Sequence, residues 1–112
     1  MKVMVTQYGL SKKAGGWDAP DQEAGSQTDQ RIGNHDNPLI ENLSCAVTDS
    51  VKKTLGLKPG DKIKLVWPNG QGLIVQYDDR APEIDDRIDL WKPKSFDKTI
   101  NAWGDFAEAT KL

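Results

Sequence analysis

Residues 62–77, with the sequence KIKLVWPNGQGLIVQY, carry the clearest fold signal in the chain. Polar and apolar residues alternate over 62–67, a pattern typical of a half-buried strand. Residues 68–72 supply the proline, asparagine and glycines of a hairpin turn, and residues 73–77 are rich enough in strand-forming side chains to return from it. This stretch therefore predicts a β-hairpin at the centre of the fold.

Short elements flank this hairpin on both sides. Upstream, residues 44–47 predict a short buried strand, and Asp49 is the predicted N-cap of a short helix that Gly56 closes. The other predicted elements are strands over 3–8, 87–91 and 106–112, and a helix over 96–103 with Phe96, Ile100 and Trp103 on one face. Many short strands with few helices favour a small closed β-barrel, since closure leaves no exposed edge.

Residues 10–42 have almost no periodic apolar signal. Glycines and prolines recur there among Asp, Asn, Gln and Ser. A loop of this length in a compact domain is usually functional or mobile. We therefore expect a long irregular insertion or lid, more mobile than the barrel, within a single domain spanning residues 1–112.

Length and composition exclude several classes of protein. The chain has 112 residues, of which 37 % are hydrophobic, enough for one core. A net charge of −2 gives no reason to expect nucleic acid or an anionic membrane as partner. No apolar run approaches the roughly 20 residues of a membrane helix. Cys45 is the only cysteine and is predicted to be a buried, inert thiol. We expect the protein to be a monomer.

The first residues, MKVMV, lack the apolar core and cleavage site of a signal peptide. This pattern leaves two expectations open. The protein is cytoplasmic, or the chain is the mature form of a secreted or cell-envelope protein.

Acidic residues concentrate after the hairpin. Six of the 17 Asp and Glu residues lie within 78–89. Asp89 is in the middle of a predicted strand between Ile88 and Leu90, and strands are depleted in Asp. We therefore expect Asp89 to line a groove.

A second carboxylate is predicted near Asp89. Asp78 or Asp79 leaves the preceding predicted strand, and two neighbouring carboxylates raise the pKa of one of them toward neutrality. The simpler alternative is a solvated acidic turn that Arg80 and Arg87 neutralise.

Five short motifs in this order resemble one group of proteins. Residues 79–82 (DRAP) and 87–90 (RIDL) resemble the signature of rare-lipoprotein-A-like double-psi β-barrels. The same region is similar to the three-aspartate (3D) domain, to the barrel of lytic transglycosylase A and to bacterial expansins. Residues 6–8 (TQY) match an early Thr-x-Tyr strand, residues 46–49 (AVTD) resemble an Ala-Val-Asp motif, and residues 57–63 resemble the next turn and strand.

The resemblance implies a six-stranded double-psi barrel with a polysaccharide groove across one face. Asp89 would be the catalytic acid and base of a lytic transglycosylase, first protonating the glycosidic oxygen and then deprotonating the C6 hydroxyl of muramic acid. The second catalytic carboxylate is Asp79 by motif and Asp78 by spacing, and we prefer Asp79. The candidate substrate-binding residues are Thr6, Tyr8, Asp49, Asp78, Trp91 and Trp17.

Trp17 and Trp91 are included because aromatic rings stack on the C–H faces of sugars, with core packing as the alternative. The expected partner is peptidoglycan or another cell-wall polysaccharide. No cofactor is expected, and one histidine, His35, does not make a His-rich metal site.

One departure from the group bears on activity. Arg80 and Ala81 stand where the related proteins have two glycines, which permit close approach of the backbone. Two alternatives to an enzyme therefore stay open. One is a non-catalytic, expansin-like polysaccharide-binding module, and the other is an intracellular barrel with an unrelated partner.

Overall fold

The computed structural model describes residues 1–18, 33 and 37–112. These residues form a mainly β structure in which six strands close into a barrel, with two helices of seven and five residues. The elements are β1 (Lys2–Tyr8), β2 (Ser44–Thr48), α1 (Asp49–Leu55), β3 (Lys62–Val66), β4 (Gly72–Ala81), β5 (Arg87–Trp91), α2 (Lys98–Ala102) and β6 (Phe106–Lys111). The predicted small, mainly β, six-stranded barrel is confirmed. Neither of these helices is long and apolar enough to cross a membrane.

The strands follow the order β1–β5–β2–β4–β3–β6, and β6 closes the barrel on β1. β1 runs parallel to β5, and β2 runs parallel to β4. β5 and β2 are antiparallel neighbours, so the two parallel pairs lie side by side. We call β1, β5, β2 and β4 the four-stranded wall.

The predicted hairpin is formed by β3 and β4. Ile63 and Leu65 are fully buried, and the residues that alternate with them along β3 are exposed, as the alternation predicts. β4 continues past the predicted end at Tyr77 as far as Ala81, because β2 pairs with its other edge. Asp78 and Asp79 therefore lie within a strand, which corrects the expectation that they leave it.

One core fills the barrel. The buried core cluster is Val3, Cys45, Val47, Val51, Leu57, Ile63, Leu65, Trp67, Val75, Tyr77, Ile88, Leu90, Ile100, Ala107 and Ala109. Trp67 packs against Trp103 with ring centroids 5.1 Å apart, which joins the core to the end of α2. Burial raises the pKa of the Cys45 thiol well above its usual range, which keeps it neutral.

The helix boundaries differ from the predictions. Thr48, not Asp49, is the N-cap residue of α1, and Asp49 lies in the first turn. The second helix begins at Lys98 because the Asp97 side chain accepts hydrogen bonds from the Thr99 and Ile100 N–H groups. Phe96 therefore precedes the helix and does not belong to its buried face.

The predicted irregular segment begins with ordered structure. Residues 12–14 form a 3₁₀ turn, and a β-bridge joins Ser11 to Asp18. The Trp17 indole N–H donates to the Lys92 carbonyl oxygen at 2.6 Å, which ties this segment to the end of β5. These contacts correct the expectation of a long irregular loop for residues 10–18. Most of the predicted lid, residues 19–32 and 34–36, lies outside the described residues.

Candidate functional site

One row of residues crosses the four-stranded wall. Thr6 pairs with Asp89, Asp89 pairs with Ala46, and Ala46 pairs with Asp79. Neighbouring strands lie about 4.8 Å apart, so the Cα atoms of Asp89 and Asp79, two strands apart, are separated by roughly 10 Å. Ala46, which lies between the two carboxylates in this row, carries only a methyl group and is itself buried.

Asp89 lies on the outer face of the barrel. Ile88 and Leu90 on either side point into the core, which directs Asp89 outward. The Thr6 hydroxyl donates to Asp89 Oδ1 at 2.9 Å. Burial raises the pKa of Asp89 to about 7, against the lowering effect of this hydrogen bond, and the charge of Glu83 raises it further. Burial is therefore the largest cause of the raised pKa, whereas the sequence led us to expect that a neighbouring carboxylate would raise it.

Asp79 reaches the same face through a β-bulge. Cys45 pairs with Tyr77, and the next residue of β2, Ala46, pairs with Asp79, so Asp78 is the extra residue. Without it, alternation would turn Asp79 toward the core.

The Tyr8 hydroxyl donates to Asp79 Oδ2 at 2.9 Å. Burial raises the pKa of the Tyr8 phenol well above its usual range, and the charge of Asp79 adds to this effect. The phenol therefore remains a proton donor to Asp79 at all ordinary pH values.

Asp78 is held by its own strand neighbours. Its side chain is 4 % exposed and accepts hydrogen bonds from Ser44 Oγ at 2.5 Å and from Gln76 Nε2 at 3.0 Å. Ser44 Oγ in turn accepts from the Ile40 N–H at 2.8 Å. Asp78 is thus enclosed in a hydrogen-bond network, and Asp79 is the carboxylate that shares the row with Asp89.

Asp49 lies at the rim of the site. It forms a two-point ion pair with Arg80, in which Nε and one terminal nitrogen each lie 3.0 Å from a carboxylate oxygen. This pairing lowers the pKa of Asp49, and both side chains are largely exposed. A substrate-binding role for Asp49 stays a prediction.

The two candidate tryptophans have different surroundings. Trp91 is 2 % exposed and packs against the Tyr8 ring with centroids 5.1 Å apart. It therefore supports Tyr8 and presents no open face on which a sugar could stack. Trp17 is half-buried, with its ring edge against Phe96 at 5.5 Å, and it anchors the segment after β1.

Sequence reasoning missed Ala46 and Ser44. Both lie in the fully buried strand β2, where their small size gave no sign that they adjoin carboxylates. Within the described part of the chain, no three His, Cys, Asp or Glu side chains are placed so that they could hold a metal ion together, and His35 lies outside that part. Comparisons with protein families and with curated proteins give no match for this chain.

Proposed function

We propose that this protein acts on cell-wall glycans and cleaves peptidoglycan strands in the manner of a lytic transglycosylase. The proposal rests on one observation about Asp89. This half-buried residue lies on the outer face of the barrel, and the pKa of its carboxyl is raised to about 7. Such a group is partly protonated at neutral pH, so it serves first as an acid and then as a base.

Asp89 would perform both proton transfers. In the first, its proton passes to the glycosidic oxygen as the bond from that oxygen to C1 of muramic acid breaks. In the second, the Asp89 carboxylate takes the proton of the C6 hydroxyl while the C6 oxygen bonds to C1. The products are a free chain end and a 1,6-anhydro sugar, and no water is consumed.

Asp79 would support this reaction electrostatically. Its carboxylate, oriented by the Tyr8 hydroxyl at 2.9 Å, lies on the same row and would favour the positive charge that develops at C1. The Thr6 hydroxyl would remain on Asp89 and stabilise the carboxylate once its proton has left.

The barrel topology supports a double-psi assignment within the same proposal. Two adjacent parallel pairs, β1 with β5 and β2 with β4, carry the TQY, AVTD, DRAP and RIDL motifs. Those motifs are the ones that resemble rare-lipoprotein-A-like barrels and the lytic transglycosylase A barrel.

The test compares wild-type protein with Asp89→Asn on purified peptidoglycan, with soluble products identified by mass spectrometry. We expect anhydro-muropeptides from the wild type and a loss of about 10²–10⁴-fold in the variant, the usual contribution of general acid–base catalysis. Asp86→Asn is the matched control, because Asp86 is an exposed carboxylate of the same acidic segment.

The outcomes separate the enzyme from its alternatives. Anhydro products that persist in Asp89→Asn would overturn the role of Asp89. An absence of products, with wild-type protein sedimenting with the cell wall, would replace the enzyme by an expansin-like binding module. Neither products nor sedimentation would overturn the cell-wall function itself.

A further inference from the structure

A cleft beside Thr6 has no part in the proton transfers of Asp89. It has a volume of about 270 Å³ and lies between β1, α2 and the residues just before β6. Thr6 borders the cleft and also donates to Asp89 Oδ1 at 2.9 Å, so the cleft adjoins the proposed catalytic carboxyl. Pockets for whole drug-sized ligands are usually larger, and this volume suits one group of a ligand.

Asp105 gives the cleft a negative charge. It borders the cleft, and none of the other described residues that line it is charged. Asp105 is exposed and forms no ion pair with another described residue. Its backbone carbonyl accepts from the Val5 N–H at 2.9 Å, which holds the residue beside β1. The cleft therefore contains a carboxylate with which no described cation pairs.

Neutral acceptors border the same space. Among the described residues, β6 pairs with β1 only from Lys2 to Met4, so the Val5 carbonyl, which points to the β6 side of β1, has no strand partner there. Asn101 is an exposed residue of α2 that borders the cleft, and its amide carries an acceptor oxygen. The Gln7 N–H also points to the β6 side and is left to water or to an oxygen of a ligand.

The remaining wall of the cleft is apolar. Phe96 is 37 % exposed, and Ile100 contributes the buried end of this wall. The ring of Phe96 packs against Trp17 with centroids 5.5 Å apart, which helps to fix its position. An aromatic ring attracts a cation, and the aliphatic side chain of Ile100 suits the carbon skeleton that carries it.

A primary ammonium group matches this lining. It carries several N–H donors that diverge from one nitrogen, so it can reach acceptors that do not lie in one plane. An anion would be repelled by Asp105. A calcium ion usually takes about six to eight oxygen ligands, which is more than this lining supplies.

We propose that the cleft binds the primary ammonium group of an amine-bearing ligand. The ammonium would donate to the Asp105 carboxylate, to the Val5 carbonyl and to the Asn101 amide oxygen. The carbons next to it would contact Phe96. Two kinds of molecule carry such a group: a peptide with a lysine-type side chain, and an amino sugar that lacks its acetyl group. The inference goes beyond the proposed function, whose proton transfers use no amine.

The test is an NMR titration of the ¹⁵N-labelled protein at about pH 6, where both kinds of amine are protonated. The peptide probe is Nα-acetyl-lysine amide, and N-acetyl-norleucine amide is its counterpart without the ammonium. The sugar probe is the β-1,4-linked trimer of glucosamine, with the N-acetylglucosamine trimer as its uncharged counterpart. We expect a charged probe to shift the amides of Val5, Gln7 and Asp105 with a dissociation constant of about 1–10 mM, and its counterpart to bind there at least about tenfold more weakly.

Asp105→Asn removes the charge and keeps the backbone carbonyl that accepts from Val5. Since an exposed ion pair contributes modestly, this change should weaken binding of the charged probe by about fivefold. Asp86→Asn is the matched control, because Asp86 is exposed and its carbonyl accepts from the Met4 N–H on the β5 side of β1. The control should leave the affinity within about twofold, since salt screens the more distant charge.

Selective binding of the lysine derivative would assign the ammonium to a peptide, and selective binding of the glucosamine trimer would assign it to an amino sugar. Either result supports the inference. Equal affinity of charged and uncharged probes at the cleft, no cleft shifts at about 50 mM probe, or equal weakening by Asp105→Asn and Asp86→Asn would overturn it. Peptidoglycan cleavage is measured separately through Asp89→Asn, so cleavage without ammonium binding would overturn only this inference, and ammonium binding without cleavage would overturn only the enzymatic function.

Discussion

The two parallel strand pairs of the wall treat their carboxylates differently. In β1 and β5 the register is regular, and Asp89 receives one side-chain hydrogen bond from the neutral hydroxyl of Thr6. In β2 and β4 a bulge inserts Asp78, which receives hydrogen bonds from Ser44 and Gln76. In the regular pair, burial thus raises the pKa of the Asp89 carboxyl. In the bulged pair, hydrogen-bond donors surround the Asp78 carboxyl.

The pKa of Asp89 follows from the surroundings that the regular pair gives it. Burial disfavours the charged form of a carboxyl, and donors or cations restore it. Asp85, for example, has a lowered pKa because it pairs with Arg87 at 2.8 Å. Asp89 has only Thr6 as a side-chain donor among the described residues, and its pKa is raised to about 7.

The largest expected effect concerns the pH dependence of stability. Asp89 has a pKa of about 7 in the folded protein, against an ordinary value of 3.8. Between these two pH values the folded state therefore keeps a proton that the unfolded state has released. The free energy of unfolding should therefore fall as pH rises from about 4 to about 7, by at most about 4 kcal/mol from this group. Asp89→Asn removes this dependence, and it should gain stability relative to wild type over the same interval.

Urea unfolding of both proteins at pH 4.5 and pH 8 measures this difference. Other carboxylates, such as Asp85 with its lowered pKa, have the opposite pH dependence but are present in both proteins and cancel. A difference between wild type and Asp89→Asn that stays constant with pH would show that the Asp89 carboxyl is not destabilised by burial.

The second expected effect concerns the bulged pair. Asp78→Ala leaves the Ser44 hydroxyl and the Gln76 amide without their acceptor, and it should lower the free energy of unfolding by about 2–4 kcal/mol. Asp86→Ala, a change of an exposed carboxylate, should stay within about 0.5 kcal/mol of wild type. Equal urea midpoints for these two variants would contradict the structural role assigned to Asp78.

The regular parts of this fold could be predicted from local pattern. Alternation over 62–67 located β3, and an Asp between Ile88 and Leu90 indicated a carboxylate on the outer face of β5. Both inferences depend only on the two-residue period of a strand. The closed barrel followed from the number of short strands, and the described structure agrees.

The bulge could not be predicted in this way. It arises from the pairing of β2 with β4, whose partners Ala46 and Asp79 are far apart in the sequence, and local pattern holds no information about that register. The sequence therefore left Asp78 and Asp79 as competing candidates. Similarly, the burial of Trp91 depends on Tyr8, which the parallel pairing of β1 with β5 brings against it.

The smallest expected effect separates burial from hydrogen bonding at Asp89. Thr6→Val keeps the shape of the side chain and removes the hydroxyl that donates to Asp89 Oδ1 at 2.9 Å. A hydrogen bond to a charged group contributes about 1.5 kcal/mol, so the acid ionisation constant of Asp89 should fall by roughly tenfold and its pKa should move upward.

Carboxyl-carbon NMR titration measures that pKa in wild type, in Thr6→Val and in the control Thr110→Val, an exposed threonine of β6. The control should titrate at Asp89 as wild type does. If Thr6→Val also left the pKa of Asp89 unchanged, burial would set that pKa and the Thr6 hydroxyl would have no measurable effect on it. An upward shift confined to Thr6→Val would show that one hydroxyl, placed by the parallel register of β1 and β5, keeps Asp89 ionisable near neutral pH.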